Sequence, residues 1–445
     1  MKVRNNIDGV VFNMRDKLDS KKCEEINFRT KKIPRGQTYL RPKNIIKSII
    51  ELIKINGSRC RYVELFEKSF AEYFKVNSAI AFPYARTAFY FLLKAYNFQP
   101  NSEVIITPIT TDEILNVILL NGLKPVFVDI GYDTGNIKIS EIEKNITTQT
   151  RALIVTHLNG IPSEMDSILK IKKKYDLVVF EDASQSIGAK YKNNYLGSFV
   201  DAGVFSTSFH KPLCTFTGGI VVTGDKRLSK QLKNYAYNLD SGNIISLIFS
   251  TIKELLLYIF SNKFIFSYFT YNLIKIFNVL SPEVIDRLQH LDFSKPKRWE
   301  KMPKKFLKSF TSYQATIGIK AFKTFEEDTI KRSYLGYLLY SELKKKMIPG
   351  LVKIPFGSFC SFWRFPLWVD NPKKFRNYLF SEGIDTAVSG LECYSRGLLF
   401  KEFNKNTPEA FRFIDDMVFL PIHSNMEKNE IEYIACTVGK YYDDD

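Results

Sequence analysis

Residues 178–223 bring together side-chain types that could carry carbonyl chemistry on a lysine amine. The apolar run DLVVF ends in Glu181 and Asp182, so it delivers carboxylates to the end of a strand. The next apolar run, VFSTS, leads into a turn that holds Lys211. A buried carboxylate needs a cation beside it, and a lysine in an apolar pocket can lose its proton and condense with an aldehyde. The segment therefore predicts a site that pairs a reactive amine with a cation-holding carboxylate.

Three further residues of this segment extend the hypothesis. Ser206 precedes Lys211 by five positions and offers a hydroxyl to a phosphate, while Gly218 and Gly219 allow a tight return into the next strand. Each feature also has an ordinary structural explanation. An aspartate at a strand end commonly caps a helix, a lysine before proline is commonly solvated, and a glycine pair commonly forms a turn. The prediction therefore depends on their joint order and spacing.

The surrounding pattern indicates how these residues are positioned. Short β-branched runs alternate with stretches long enough for helices, which is typical of a mostly parallel sheet covered on both faces. The runs are SAIAF, EVIIT, KPVFVDI, RALIVTH, DLVVFED, VFSTS and GGIVVTG. Two amphipathic helices precede them, one along Ile45–Ile53 with a stop at Gly57, and one at about Val63 to Phe74. Ligands collect at the carboxyl ends of strands in such sheets.

Composition limits the alternatives. With 445 residues, of which 45% are hydrophobic, the chain can bury a large core in two lobes, which excludes a fibrous or disordered protein. The net charge of +17 favours anionic partners without choosing among nucleotide sugars, lipids and nucleic acid. Six scattered cysteines without a CxxC pair predict no metal site, no disulfide framework and a reducing cytosol. The first residues are too polar for a secretory signal.

The segment resembles the DegT/DnrJ/EryC/StrS family of sugar aminotransferases, which belongs to the aspartate-aminotransferase fold group. The family's EDxxQ motif matches Glu181 to Gln185. Its FS-x(4)-K motif matches Phe205 to Lys211, and the second glycine of its GG pair matches Gly219. Weaker matches in order and spacing run from about Arg41 to the end of the chain, with one apolar stretch excepted.

The resemblance implies pyridoxal 5′-phosphate (PLP) as the cofactor and assigns roles to the matched residues. Lys211 would hold PLP through an imine and move the proton between cofactor and substrate carbons. Asp182 would hold the pyridine nitrogen, Gln185 would contact the ring hydroxyl, and Ser206 would bind the phosphate. The backbone amides of Arg86 and Thr87, at the start of a helix in FPYARTAF, would cradle the same phosphate.

Residues 239–302 depart from the family because its connection between the lobes is usually short. This stretch is strongly apolar and aromatic, and its last residues enter the run SKPKRWEKMPKKFLK with seven basic residues and one acidic residue. One interpretation is a helical hairpin packed on the second lobe or on a partner subunit. The other is a monotopic membrane contact in which the basic run engages anionic headgroups.

These observations predict an α/β fold with four parts. They are an N-terminal extension (1–40), a large PLP-binding domain with a seven-stranded, mostly parallel sheet (41–238), the apolar insertion (239–302) and a smaller α+β domain (303–445). The predicted activity is amination of a keto-sugar, nucleotide-linked by resemblance, with glutamate or glutamine as donor. A sugar dehydratase, a cyclitol aminotransferase and a catalytically silent membrane-associated relative stay open as alternatives. A homodimer is expected in the cytoplasm, with a possible peripheral membrane contact and no nucleic-acid partner.

Overall fold

The computed structural model describes residues 32–54, 59–242, 244–280 and 296–443, and the statements below concern those residues. The strands are β1 Ser78–Phe82, β2 Glu103–Ile106, β3 Ile109–Thr110, β4 Lys124–Phe127, β5 Thr150–Thr156, β6 Val178–Asp182, β7 Lys190–Tyr191, β8 Asn194–Tyr195, β9 Ala202–Ser206, β10 Gly219–Thr223, β11 Ser358–Phe359, β12 Phe365–Trp368, β13 Glu392–Cys393 and β14 Met417–Leu420. The helices are α1 Pro42–Lys54, α2 Arg59–Phe74, α3 Ala85–Tyr96, α4 Asp112–Leu120, α5 Ile139–Ile142, α6 Met165–Tyr175, α7 Lys226–Tyr237, α8 Ile244–Phe260, α9 Lys263–Ile265, α10 Tyr271–Leu280, α11 Ser312–Lys345, α12 Pro372–Ser381, α13 Pro408–Asp416 and α14 Lys428–Asp443.

Seven strands form the central sheet in the order β1-β10-β9-β6-β5-β2-β4. All neighbours are parallel except β10, which runs antiparallel to both β9 and β1. Every apolar run singled out in the sequence contributes one of these strands, so the predicted α/β fold with a mostly parallel sheet is confirmed. Helix α1 also lies where the periodicity placed it, although its predicted stop at Gly57 is outside the described residues.

The sheet is buried on both faces because alternate side chains enter different clusters. Val104, Ile154 and Val204 pack against α3, α4 and α7 on one face. Their neighbours Ile105 and Leu153 join a second cluster with α6 on the other face. Strands apolar on both sides are what a parallel sheet with two helical layers requires. The sheet edge that carries Asp182 is therefore fixed by packing from above and below.

The second lobe is built on α11, whose 34 residues begin with a capping box between Thr311 and Gln314. Its core joins α11 to the antiparallel pair β12–β14 and to helices α12, α13 and α14. Cys436, on α14, is disulfide-bonded. Scattered positions in the sequence did not indicate this bond, because separation along the chain says nothing about distance in the fold.

The apolar insertion forms helices α8, α9 and α10, joined by a π-helical turn at Phe266–Thr270. Three of its contacts with the second lobe show how it packs. Thr251 and Tyr313 share a hydrogen bond of 3.1 Å, Lys263 pairs with Glu430 at 2.7 Å, and Tyr271 stacks on Phe380 with ring centroids 4.5 Å apart. The described part of the insertion is therefore helical and contacts the second lobe.

Part of the insertion is not covered by this packing. Eleven large apolar side chains are more than one-third exposed, and together they form what we call the outer face. They are Ile248, Phe249, Ile252, Leu256, Tyr258, Ile259, Phe260, Phe264, Tyr268, Phe269 and Ile276. No helix among the described residues is long and apolar enough to cross a membrane.

The basic run next to the insertion packs on the large domain. The backbone amide of Lys297 donates to Asp112, and that of Trp299 donates to Asn116, so the run follows helix α4. Arg298 pairs with Glu402, and Lys308 pairs with Asp240 at 3.1 Å. Two of its cations are therefore engaged by carboxylates of the chain.

The buried carboxylate of Glu254, on α8, allows the packing of the insertion to be tested. Its side chain is only 1% exposed, neither carboxylate oxygen meets a hydrogen-bond partner among the described residues, and burial raises its pKa to about 7. A raised carboxyl pKa means that stability falls as pH rises from about 4.5 to about 7. We expect Glu254→Gln to raise the free energy of unfolding above pH 7 by on the order of 2 kcal/mol.

The measurement is thermal unfolding at pH 5 and pH 8 for the wild type, Glu254→Gln and the exposed control Glu327→Gln. The variant should gain at pH 8 and change little at pH 5, while the control should follow the wild type at both. Equal effects of the two substitutions at pH 8 would show that the Glu254 carboxylate carries no burial cost.

Candidate active site

Lys211 lies in the turn that follows β9 and is 8% exposed. Its Nζ atom stands 3.5 Å from the centroid of the Trp363 ring, which closes the pocket above the amine. Burial, and the positive charge of Arg364, lower the pKa of Lys211 to about 7, while Asp182 acts in the opposite direction. A substantial fraction of this amine is therefore neutral near physiological pH, as a carbonyl-condensing lysine requires.

Asp182 ends β6, and β6 lies beside β9 in the sheet, so the carboxylate and the lysine emerge at the same edge. The carboxylate is buried and accepts a 3.0 Å hydrogen bond from the backbone amide of Ser184. Burial raises its pKa, against the lowering effects of Ser184, Lys211 and His157. A cation next to this carboxylate would offset its desolvation cost, and the protonated ring nitrogen of PLP is such a cation. The residues present therefore fit the cofactor.

Glu181, the neighbour of Asp182, points away from this pocket. It accepts hydrogen bonds of 2.8 Å from the backbone amides of Gly197 and Phe199 and contacts the Nε2 atom of His157 at 3.1 Å. The Nδ1 atom of His157 in turn accepts from the backbone amide of Ser163 at 3.1 Å. The network holds the end of β6 in place, so Glu181 positions Asp182 and does not itself face the site.

The side chain of Gln185 is held by a backbone amide from another loop. Its Oε1 atom accepts a 2.9 Å hydrogen bond from the amide of Asn159, which has a left-handed backbone with φ of 60°. Among the described residues no acceptor engages its Nε2 group. That amide donor is the group with which Gln185 would meet the hydroxyl of the cofactor ring.

The proposed phosphate end lies at the start of helix α3. The first helical hydrogen bond runs from the amide of Ala88 to the carbonyl of Tyr84, so the amides before Ala88 have no partner within the helix. Gly219 packs against this turn, where a Cβ atom would come within 2.4 Å of the backbone of Ala85. The hydroxyl of Ser206 lies 2.9 Å from that of Ser208. The glycine that the motif predicted is therefore required by the close approach of two backbones.

Arg86 and Thr87 have side chains engaged elsewhere. The guanidinium of Arg86 pairs with Glu113 at 2.6 Å and lies 4.7 Å from the centroid of the Phe306 ring. The hydroxyl of Thr87 donates to the carbonyl oxygen of Phe306 at 2.8 Å. These contacts leave the backbone amides, and not the side chains, as the groups with which both residues would bind a phosphate.

Trp363 and Arg364 were not predicted from the sequence. The half-buried Arg364 lies between two rings, 4.6 Å from the centroid of Trp363 and 4.9 Å from that of Phe419. It donates to the carbonyl of Val388 at 3.1 Å, and burial together with Arg35 lowers its pKa to about 10. The run SFWRFP, in which aromatic residues flank an arginine, was the available signal, but no spacing rule connects it to Lys211.

The loop after Lys211 has a strained backbone at Phe216. This residue has φ of 67°, a left-handed value that favours glycine, and the related family places a glycine there. The Phe216 side chain is fully buried, packs on Tyr313 with centroids 5.7 Å apart, and joins the cluster that contains Leu247 of the insertion. Apolar packing by the insertion thus offsets the strain of the loop.

The fold is a mostly parallel α/β sheet, and the buried Lys211 and Asp182 at its carboxyl edge fit PLP. Residues 43–239 match the model of the DegT/DnrJ/EryC1/StrS aminotransferase family. Over this segment, which is less than half of the chain, the sequence is similar to that family of PLP-dependent sugar aminotransferases. The resemblance drawn from the EDxxQ and FS-x(4)-K motifs is therefore confirmed.

The relatives come from polysaccharide and sugar pathways. GDP-perosamine synthase of Escherichia coli O157:H7 is 36% identical over 172 residues, which cover 39% of this chain and 47% of that protein. The dTDP-3-amino-3,6-dideoxy-alpha-D-galactopyranose transaminase of Aneurinibacillus thermoaerophilus is 34% identical over 205 residues, which cover 45% and 56%. The chain thus spans about half the length of the curated relatives it matches.

Solved structures of the same fold extend the likeness to both lobes. Helicobacter pylori PseC, an aminotransferase involved in the biosynthesis of pseudoaminic acid, superposes with a TM-score of 0.69 at 22% identity, over 93% of this chain and 100% of that one. DesV of S. venezuelae gives a TM-score of 0.70 at 21% identity, over 93% and 99%. At these identities the likeness establishes the fold.

Arg364 provides a test of the lysine environment. Its positive charge lowers the pKa of Lys211, so Arg364→Gln should raise that pKa and reduce the neutral fraction of the amine at pH 7. We expect the pH midpoint for incorporation of added PLP, trapped with borohydride, to move upward by about half a unit to one unit.

Arg396→Gln is the matched control, because Arg396 is exposed and pairs with Asp415. It should leave the midpoint in place. A midpoint that is the same in all three proteins would contradict the assigned influence of Arg364 on Lys211.

Proposed function

We propose that the protein is a PLP-dependent aminotransferase that moves an amino group from glutamate or glutamine to a keto-sugar. The observation that carries the proposal is the pairing of Lys211 and Asp182 in one pocket. Both are buried at the ends of adjacent parallel strands, and the pKa of each is shifted toward its uncharged form. Perturbed pKa values of buried groups beside a charge partner cluster at functional sites.

Individual residues of the chain have separate roles in the proposed reaction. Bound PLP supplies the electron sink that stabilises charge on the carbon being deprotonated. Lys211, with its pKa of about 7, takes a proton from one carbon and returns it to another near physiological pH. Asp182 holds the proton on the ring nitrogen, and the amides at the start of α3 bind the phosphate. Trp363 covers the amine and excludes water from it.

Names of relatives support a sugar as the acceptor, with a nucleotide as its carrier. GDP-perosamine synthase and the dTDP-3-amino-3,6-dideoxy-alpha-D-galactopyranose transaminase are both named for nucleotide-linked sugars. The half-buried cation of Arg364, beside the ring that covers Lys211, is suited to the carboxylate of an amino donor. A dehydratase or a cyclitol aminotransferase on the same scaffold would form a different product. Retention of the lysine favours transamination, because some relatives that dehydrate sugars replace it with histidine.

Absorbance spectroscopy tests the cofactor and its anchor. The wild type loaded with PLP should show a band that borohydride bleaches, and Lys211→Ala should lack that band because it has no amine to condense. Asp182→Asn should still bind PLP, but glutamate should convert its spectrum at least a hundredfold more slowly, since the ring proton is no longer held.

Two outcomes would count against this function. Absence of the band in the wild type after added PLP would favour the silent relative. Its best support is Thr111, where the family usually has an aromatic residue, together with the altered loop at Phe216 and Thr217. Equal conversion rates in Asp182→Asn and the wild type would remove Asp182 from its assigned role.

We further propose a homodimer that associates peripherally with the cytoplasmic face of a membrane. Family resemblance supports the dimer. The outer face supports the membrane contact, because an apolar surface of this extent on a soluble chain marks an interaction site. Its aromatic residues suit the interfacial layer of a bilayer, where amphipathic helices lie in the membrane plane.

Vesicle flotation tests the membrane contact. The double variant Phe249→Ser, Phe264→Ser removes two side chains that are 69% and 71% exposed, so it should lose most of its binding to vesicles of phosphatidylglycerol and phosphatidylcholine. Folding should be unaffected, since neither side chain is buried. If flotation is unchanged and the variant instead alters the dimer–monomer balance on gel filtration, the outer face is a subunit contact.

A further inference from the structure

A cavity of about 340 Å³ lies beside the lysine pocket. Three separate parts of the chain wall it, namely residues 34–39, the insertion, and the second lobe around β14. Trp363 lines it as well, and the ring of Trp363 lies over the amine of Lys211. A ligand in this cavity therefore reaches to within one aromatic side chain of the reactive amine.

A second cavity of about 350 Å³, which we call the polar pocket, adjoins the first. The residues that line both are Gln37, Thr38, Ser261 and His423. The two therefore form one continuous space that leads away from Lys211. Each volume is within the range of roughly 300 to 1,000 Å³ for small-molecule sites.

The two cavities differ in the chemistry of their walls. The insertion gives the first cavity an apolar wall of Leu257, Phe260, Phe266, Leu273 and Ile274. Every described residue that lines the polar pocket, by contrast, has a polar or charged side chain. The residues that line the polar pocket alone are Tyr258, Asn262, Lys263, Lys331, Asn425 and Glu427. A ligand that fills both cavities therefore places its more polar part in the polar pocket.

The cations of the first cavity are already assigned. Arg35 makes a two-pronged ion pair with Asp385, at 2.7 Å through its Nε atom. Arg364 lies between two rings at the Lys211 end, where it suits the carboxylate of the amino donor. A diphosphate brings negative charges that need further cations. Such cations are found in the polar pocket.

Two lysines and one acidic side chain, Glu427, line the polar pocket among the described residues. Lys331, on α11, is exposed and forms no ion pair within the described part of the chain. Lys263, on α9, pairs with Glu430 at 2.7 Å, and its ammonium keeps further N–H donors. The positive charge of each lysine lowers the pKa of His423, so both lie near the junction of the two cavities.

The junction itself is uncharged. Burial and the charge of Lys263 lower the pKa of His423 to about 3, against the hydrogen bond from its ring to the carbonyl of Pro34. The imidazole is therefore neutral near pH 7. The Oε1 atom of Gln37 and the hydroxyl of Thr38 are buried without a hydrogen-bond partner among the described residues. Hydroxyl groups of a sugar would satisfy these two atoms, whereas phosphates would need the lysines.

The polar pocket is built by parts of the chain that the family model does not match. All of its described lining residues lie outside residues 43–239, the matched segment. Tyr258, Ser261, Asn262 and Lys263 come from the insertion, and the other residues come from the N-terminal extension and the second lobe. The sequence match to the family therefore assigns no role to this pocket.

We propose that the polar pocket binds the nucleoside diphosphate of a nucleotide-linked sugar, whose sugar ring lies in the first cavity beside Trp363. The assignment rests on the proposed function for its keto-sugar, and it makes the insertion part of the acceptor site. Lys263 of the insertion and Lys331 of α11 bind the phosphates from two separate elements. Gln37 and Thr38, at the junction, bind hydroxyl groups of the sugar.

Calorimetric titration of the PLP-loaded protein with UDP, GDP and dTDP tests the phosphate site without turnover. We expect at least one of the three to bind at a single saturable site. Lys331→Gln should weaken that binding about tenfold, because it removes a cation from the phosphates. Lys344→Gln is the matched control, since Lys344 is exposed at the far end of the same helix and lines neither cavity. It should bind as the wild type does.

Ala387→Leu tests the position of the sugar, because Ala387 lines the first cavity and not the polar pocket. The probe is the glucose conjugate of the diphosphate that binds, namely UDP-glucose, GDP-glucose or dTDP-glucose. The larger side chain should weaken binding of the conjugate at least fivefold and leave binding of the free diphosphate unchanged. Equal losses for the conjugate and the free diphosphate would contradict the division of the ligand between the two cavities.

Three results would overturn the assignment of the polar pocket. They are the lack of saturable binding for all three diphosphates, equal binding by Lys331→Gln and the wild type, and equal losses in Lys331→Gln and Lys344→Gln. The last result would mean non-specific attraction of an anion to a basic chain. Circular dichroism and the PLP absorbance band show whether each variant is folded.

The spectral response to glutamate needs no acceptor, so it separates this proposal from the function on which it rests. Glutamate conversion without diphosphate binding would overturn the assignment of the polar pocket and leave the aminotransferase intact. Diphosphate binding that depends on Lys331, without glutamate conversion, would overturn the transamination and support a nucleotide site on a silent protein.

Discussion

The burial of an amine next to a carboxylate, at the edge of a parallel sheet, is the constraint on which the rest of this structure depends. An exposed Lys211 would stay protonated, and an exposed Asp182 would pair with water or salt. Both must therefore be desolvated, and desolvation requires packing on every side. The two helical layers cover the sheet, the Glu181 network fixes the end of β6, and Trp363 of the second lobe closes the pocket. Neither lobe alone completes that enclosure.

The insertion is part of the same enclosure. Its helix α8 packs on the loop that carries Lys211, through the cluster that contains Leu247, Phe216 and Tyr313. Phe216 occupies a left-handed position where glycine is free and other residues pay about 1 kcal/mol or more. The apolar contact between the insertion and Phe216 stabilises the left-handed loop conformation, which a phenylalanine in place of glycine destabilises. The insertion and the altered loop are therefore one adaptation, in which a rigid, packed segment replaces a flexible glycine.

The sequence was sufficient for the sheet and for the side chains at its edge, because strand periodicity and short-range spacing are local properties. Asp182, Gln185, Ser206 and Lys211 lie within one segment, and their motif encodes their mutual placement. Trp363 could not be found this way, because its contact with Lys211 joins positions far apart in the chain and depends on how the second lobe closes.

Other expectations failed or changed for related reasons. The basic run follows helix α4, since Asn116 and Asp112 hold its backbone, whereas charge counting alone left a membrane contact and a protein contact both open. The disulfide at Cys436 is likewise a matter of distance in the fold. The hydrophobic pattern predicted that the insertion is helical, but it did not predict that one side of the insertion would line a cavity. Apolar side chains that line a cavity and apolar side chains that pack against protein have the same sequence pattern.

The cavity also has a place in the order of folding. The amide of Lys32 donates to the hydroxyl of Ser267 at 3.0 Å, and Ile33 forms a bridge with Ile384. Lys32 and Ile33 thus lie between the insertion and the second lobe. Contacts between residues so far apart in the sequence form late in folding, because closing a long loop costs conformational entropy before the new contacts offset that cost. The wall that residues 34–39 give to the cavity therefore rests on contacts that cost more loop-closure entropy than those between neighbouring strands of the sheet.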